Sequence, residues 1–382
     1  MKRNEDWEVH NASMTELTPP REAARREGSD LGRKVHEAWL QSGRDSALSV
    51  LKESDLLPAL VPARVAPHVG RPFGEGCALL EGFGTTCPEL GLALAVVAHT
   101  WGGVVPLLSA GAGDVSSLLD GSVLAGHAVS EPGAGSDVSG MTTEVVRDLE
   151  AIRVRGSKTW VTNAPEAGVL LVYGRDVDAE GLSVVRVPAD TPGLIVTELE
   201  KMGLRGARMG RVEIDCRLPP SALVGIPGSG MAQFQSALEW ERASVGAAFV
   251  GAMQRGLDRC IEHARRRTQF GRPIGGFQAV AHRIVDMKLR LETSRLLLYR
   301  AADAKERGRA PVESSEAKLW IADALVANSL DAVRIFGAAG YLAEAEEARR
   351  LADAVGTPIL SGTADIQRNL IAGFLGVAPP RR

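Results

Sequence analysis

The sequence predicts an α+β protein in three parts: an N-terminal α-bundle, a middle antiparallel β-domain and a C-terminal bundle of the four-helix type. Three observations carry this. Apolar residues recur at helical spacing up to about residue 120, the period falls to two between about 121 and 228, and helical spacing returns from about 229 to the end. A chain of 382 residues with 45% apolar content is long enough to build two or three cores.

Residues 1–30 are polar and charged without an apolar period, and read as a partly disordered lead-in. The helical domain then spans 31–120, with Leu40, Leu48, Leu51, Leu56 and Leu57 followed by an apolar stretch from Leu90 to Leu108. Pro and Gly punctuate it between 58 and 76. The β-domain spans 121–228. In RVEIDCRL, Val212, Ile214, Cys216 and Leu218 share one face and Arg211, Glu213, Asp215 and Arg217 the other, as a half-buried strand requires. VLLVYG, LSVVRV and LIVTELE read likewise, separated by DAEG and TPG turns. The second helical domain spans 229–382. One long helix is expected over about 231–267 and a second over about 277–307, where Val280, Ile284, Met287, Leu291 and Leu298 recur at helical spacing.

Composition narrows the function by exclusion. A net charge of -3 shows no nucleic-acid footprint. Cys77, Cys87, Cys216 and Cys260 are widely spaced, as buried reduced thiols would be, and no metal-ligand spacing is present. The start, MKRNEDWEVH, lacks the apolar core of a signal peptide, and no run is expected to reach membrane-spanning length. The expectation is a cytoplasmic protein that binds neither a membrane nor a metal.

The chemistry begins at SEPGAGSD, residues 130–137, followed by KTWVTNA at 158–164. A loop of small residues lets backbone approach a flat ligand. The hydroxyls of Ser130, Ser136 and Thr162 suit the rim of a heterocycle, and Trp160 offers a stacking face. KMGLRG at 201–206, RTQFGRPIGGFQ at 267–278, FGAAGY at 336–341 and SGTADIQRNLIA at 361–372 follow in order. Together these phrases resemble the acyl-CoA dehydrogenase family. The resemblance implies that family's fold and an FAD cofactor. It also implies oxidation of the Cα–Cβ bond beside a thioester carbonyl, with a carboxylate removing the α-proton and enolate-like charge held by donors.

The resemblance also assigns residues. Val129, Ser130, Ser136, Trp160 and Thr162 would surround the flavin. Arg267, Phe270 and Gln278 would meet its pyrophosphate and AMP, with Gly337, Thr363 and Asp365 completing the cofactor set. Arg334 would either pair with pyrophosphate or lie on an ordinary helix surface. Most of the family carries its base in an E-G-T phrase, but here the phrase is Ser361-Gly362-Thr363. A minority places the base on the long helix, directly before an arginine, where this chain has Glu241 and Arg242. Glu241 is thus the expected catalytic base. Ser136, Arg242, Ser361 and Gly362 are expected to touch substrate. Glu239 points about 200° away on the helix, toward solvent or the substrate entrance. His127, just before the flavin loop, reads as either a pocket residue or a packed strand histidine.

Within the family the chain is most similar to the L-prolyl carrier-protein dehydrogenases, through AHTWGGVVPLL at 98–108, FQAVAHRIVDMKLRLETSRLLLYRA at 277–301 and the S-G-T phrase. That implies a small aminoacyl thioester on a carrier protein, yielding a pyrrolyl-type product in secondary metabolism such as antibiotic biosynthesis. It further implies a homodimer or homotetramer and reoxidation by an electron-acceptor flavoprotein or oxygen. The alternatives are a branched- or short-chain dehydrogenase acting on CoA thioesters, and a flavin monooxygenase on the same fold.

Overall fold

A computed structural model describes residues 17–377. The first helix, α1 (Pro19–Lys52), starts well before residue 31 and turns direction at Gly43. Residues 19–30 are therefore helix rather than lead-in, while residues 1–16 lie outside the described residues. Proline opens the helix, Glu22 sits in its first turn, and Ala24, Gly28 and Gly32 are buried. A Cβ on Gly28 would overlap the Leu79 carbonyl, and one on Gly82 the Arg25 carbonyl. The two helices thus meet through backbone, a contact that leaves no apolar period in the sequence.

The N-terminal domain continues through α2 (Leu56–Leu60), α3 (Phe73–Thr86), α4 (Leu90–His99), α5 (Val105–Ala110) and α6 (Ser116–Leu119). A π-helical turn, Thr100–Val104, joins α4 to α5. Contrary to the sequence expectation, Leu90–Ala110 is long and apolar enough to cross a membrane. Its apolar surface is wholly buried inside the fold, so here it is the core helix of the domain.

The middle domain holds β1 (Ala125–Ala128), β2 (Glu144–Arg147), β3 (Ile152–Thr162), β4 (Val169–Asp176), β5 (Leu182–Pro188), β6 (Leu194–Glu198) and β7 (Met209–Leu218) in one sheet. The sheet is mixed, not purely antiparallel. Strand β4 pairs in parallel with β1 and β2 and antiparallel with β5. It is buried nearly throughout, as strands covered on both faces are. Val169, Leu171 and Tyr173 join the helical core, while Leu170 and Val172 join Val185, Val212, Ile214 and Cys216 in a second core inside the β-domain.

The C-terminal domain comprises α7 (Gly230–Ser244), α8 (Gly246–Arg266), a hairpin of β8 (Thr268–Gln269) and β9 (Arg272–Pro273), α9 (Gln278–Arg307), α10 (Pro311–Phe336), α11 (Glu346–Ala354) and α12 (Ala364–Phe374). The single long helix expected over 231–267 is two helices that meet at Val245. There the Ser244 hydroxyl donates back to the Trp240 carbonyl at 3.0 Å, a side-chain bond that bends helices. Trp240 stacks on Trp101 at 5.7 Å and meets the edge of Phe73 at 4.7 Å, fixing α7 against the N-terminal domain. All four cysteines are buried and unpaired.

Candidate active site

The α7 helix presents Glu241 and Arg242 to the segment that leads into α12. The Ser361 hydroxyl donates to Glu241 Oε1 at 2.5 Å, and Arg242 Nε donates to the Ser361 carbonyl at 3.1 Å. Neighbouring side chains diverge on a helix, yet here they grip the two ends of one residue. Gln367 Nε2 donates to the Gly362 carbonyl at 3.0 Å, and Lys318 Nζ on α10 to the Pro358 carbonyl at 3.2 Å. Thr363 caps α12 by accepting from the Ile366 amide at 3.2 Å. Burial raises the Glu241 carboxyl above its ordinary value, against the Ser361 hydroxyl and the charges of Arg242 and Lys318. Burial, aided by Arg242, pulls the Lys318 ammonium down to about 8.

The strand that leads into the Gly-rich loop packs against α7 as well. Strand β1 leads from His127 into Val129 and Ser130, and the His127 ring lies 5.9 Å from that of Phe234 on α7. Phe234 is two turns before Glu241 and shares its side of the helix, about 10 Å away. The Ser130 carbonyl accepts from the Thr159 amide at 2.9 Å, bringing the loop onto β3. Between Lys158 and Val161 the β3–β7 register shifts. That bulge puts Trp160 at a positive φ of 57° and leaves it 54% exposed. Two residues on, Thr162 is half-buried, and Ser136 in the loop is exposed. Gly133 and Gly135 have open space where a side chain would be.

Two residues missed by the sequence reading hold this loop. Lys158 Nζ donates to Glu131 at 2.8 Å and to the Val129 carbonyl at 2.9 Å, with both side chains buried. Glu131 also accepts from the amides of Thr142 and Thr143 at 2.7 and 2.9 Å. Burial pushes the Glu131 carboxyl up, but these bonds outweigh it and hold it at about 2. Burial draws Lys158 down to about 8 against the pull of Glu131. The signal was the Glu of the S-E-P-G loop and the Lys of the K-T-W phrase.

The remaining assigned residues lie elsewhere. Arg267 follows α8, and the 21 residues of that helix carry it about 31 Å from the α7–α8 junction. Phe270 is 94% exposed at the hairpin tip, and Gln278 opens α9, also exposed. The His263 ring stacks on Phe336 at 4.2 Å, so Arg334 and Gly337 at the end of α10 join this second cluster. Arg334 is exposed and reaches Asp331 at 3.5 Å. Thr363 and Asp365, by contrast, lie beside Ser361 at the start of α12.

The middle domain of acyl-CoA dehydrogenase matches residues 126–216, and its C-terminal domain matches residues 228–376. The chain belongs to the acyl-CoA dehydrogenase family. Among its relatives is an L-prolyl-[peptidyl-carrier protein] dehydrogenase of Pseudomonas fluorescens, 39% identical over 305 residues, covering 77% of this chain and 80% of the relative. Among solved structures, the prolyl acyl carrier protein oxidase AnaB superposes with a TM-score of 0.88 at 34% identity, over 94% of this chain and all of that one. PigA with FAD and proline superposes with a TM-score of 0.88 at 30% identity, over 95% and 99% of the two chains.

This member of the acyl-CoA dehydrogenase family is an FAD-dependent oxidoreductase. Its residues fit the cofactor: the open Gly133–Gly135 loop admits a ring edge and Trp160 offers a bare face. Among the described residues no cluster of His, Cys, Asp and Glu is arranged to hold a metal ion. Glu239 corrects the sequence reading, because it does not face solvent. It is buried, with Lys305 Nζ and Arg309 Nε each at 2.9 Å. Those partners lie 66 and 70 residues away, beyond the reach of any local pattern. His127 packs edge-on to Tyr173 at 5.0 Å, and burial lowers its imidazole to about 4.

Proposed function

We propose that the protein oxidises the Cα–Cβ bond of a small aminoacyl thioester, L-prolyl on a peptidyl carrier protein, toward a pyrrolyl-type thioester of secondary metabolism. The observation that carries the reading is the contact between Glu241 and Ser361. A carboxylate on α7 touches the residue that stands where most of the family carries its base. Glu241 takes the α-proton through Oε2, since Oε1 is occupied by the serine hydroxyl. Bound FAD supplies a hydride acceptor for Cβ. Likeness to relatives that act on prolyl carrier proteins selects the substrate.

The split among the assigned residues supports a homo-oligomer. A five-carbon ribityl chain separates flavin ring from pyrophosphate, whereas α8 holds Arg267 about 31 Å away from the α7–α8 junction. This spacing supports the reading that the Arg267 hairpin and the end of α10 serve a neighbouring subunit's FAD. Arg267→Ala should weaken FAD binding by about 1.5–3 kcal/mol, the scale of a hydrogen bond to a charged group. Titration of apoprotein with FAD reads this, and unaltered affinity would remove Arg267 from the cofactor site.

Anaerobic incubation with prolyl-loaded carrier protein tests the reaction itself. The carrier should lose hydrogen in pairs as the flavin bleaches, and free proline should be inert because no thioester stabilises its enolate. A carrier of unchanged mass beside a bleached flavin would contradict the proposal. Reoxidation of the bleached enzyme by oxygen, or only by an added flavoprotein, identifies the electron acceptor.

A further inference from the structure

The segment from Pro358 to Gly362 is tied down along its length. Three side chains from three helices donate to its carbonyls: Lys318 from α10 to Pro358, Arg242 from α7 to Ser361, and Gln367 from α12 to Gly362. The cap at Thr363 fixes its downstream end. Ser361 itself sits at a φ of 55°, a left-handed conformation that residues with a Cβ avoid unless their surroundings impose it. That strained backbone delivers the hydroxyl to Glu241 Oε1 at 2.5 Å. Among the described residues no other hydrogen bond reaches this carboxylate.

We infer that Ser361 is a positioning residue for the base: its hydroxyl holds one oxygen of the Glu241 carboxylate and leaves the other for the α-proton. The inference rests on the reading of Glu241 as that base. A carboxylate at the end of a flexible side chain explores several rotamers, and proton abstraction needs one of them. Arg242 on the same helix and Lys318 on α10 are the cations that act on Glu241. Each is pinned to a loop carbonyl, which leaves Ser361 as the group that orients the carboxylate directly. The serine therefore replaces the family's usual carboxylate at this place with a donor suited to a carboxylate on α7. A hydrogen bond to the charged form also favours that form, so the hydroxyl keeps Glu241 ionised at lower pH than burial alone would allow.

The test is the pH profile of single-turnover flavin reduction by a reactive thioester in wild-type holoenzyme, Ser361→Gly and Ser361→Ala. Glycine removes the hydroxyl while tolerating the positive φ, so it separates the loss of the donor from backbone strain. Both variants should move the acid limb of the profile up by about one pH unit, with FAD content unchanged. Ser361→Asn, which restores a donor on a residue at ease in this conformation, should move the limb back toward wild type. Glycine and alanine profiles that superpose on the wild type, in a protein whose Glu241→Gln variant no longer reduces flavin, would overturn this inference and leave the base in place. Reduction by Glu241→Gln at the wild-type rate would overturn both.

Discussion

Glu241→Gln is expected to slow flavin reduction by about 10²–10⁴-fold, the loss that follows removal of a general base, with FAD content unchanged. Glutamine keeps the shape and can still accept from the Ser361 hydroxyl, so α7 and the 361 loop should stay in register. In the wild type the sign of the pH effect follows from burial. Glu241 must be ionised to act, and burial raises its carboxyl above the ordinary value. Reduction should therefore fall as pH drops through a value raised above that of an ordinary glutamate, and the Gln variant should lose that limb. Ser361→Ala should cost far less at the plateau, because it removes alignment but not the base. Glu239→Gln offers the contrast. It strips a full charge from Lys305 and Arg309, so it should lower stability rather than change the pH profile. Stopped-flow reduction beside urea unfolding distinguishes the two carboxylates. A Gln variant at 241 that retains the wild-type rate would contradict the assignment.

Lys158→Met is expected to destabilise the folded protein by about 3–5 kcal/mol, the cost of stranding one partner of a buried ion pair. The side chains of Lys158 and Glu131 are 0% and 2% exposed, so solvent cannot screen the carboxylate left behind. The loop carrying Val129 and Ser130 hangs from the same ammonium through the Val129 carbonyl, and FAD should leave more readily as well. Replacing both partners together, Lys158→Met with Glu131→Leu, should recover part of the stability because no buried charge remains. FAD retention should not recover with it, since the tie to Val129 is still missing. Urea titration of the single and double variants reads the stability, and the flavin absorbance of the purified variants reads the FAD retained. A single variant that unfolds at the wild-type midpoint would show that the pair carries no such weight.

The strands and helices with a clean period were legible in the sequence. Val212, Ile214, Cys216 and Leu218 alternate on β7 as read, and the long helix that became α9 begins within a residue of its expected start. What escaped depends on distant contacts. Parallel pairing of β4 joins residues far apart in the chain. The early start of α1 rests on glycines whose contact with α3 shows no apolar pattern. The candidate site stands out in the sequence where it takes the form of a phrase, as at Ser130, Trp160 and Glu241. It was not legible where geometry decides. The bulge that exposes Trp160, the left-handed turn at Ser361 and the burial of Glu239 by Lys305 and Arg309 are products of tertiary packing. Nor could sequence order show that Arg267, Phe270, Gln278, Arg334 and Gly337 gather at the far end of α8, away from Glu241.

In the proposed function a base on α7 serves a compact aminoacyl thioester delivered by a carrier protein. Stopped-flow flavin reduction by prolyl-carrier protein, prolyl-CoA, isovaleryl-CoA and free proline decides whether it does. Prolyl-carrier protein should reduce the flavin fastest and prolyl-CoA more slowly, with free proline inert. The advantage of the carrier should shrink as salt rises, since exposed charge pairs are screened within about 10 Å at roughly 0.1 M. Faster reduction by isovaleryl-CoA than by prolyl-carrier protein would instead make the chain a branched-chain acyl-CoA dehydrogenase.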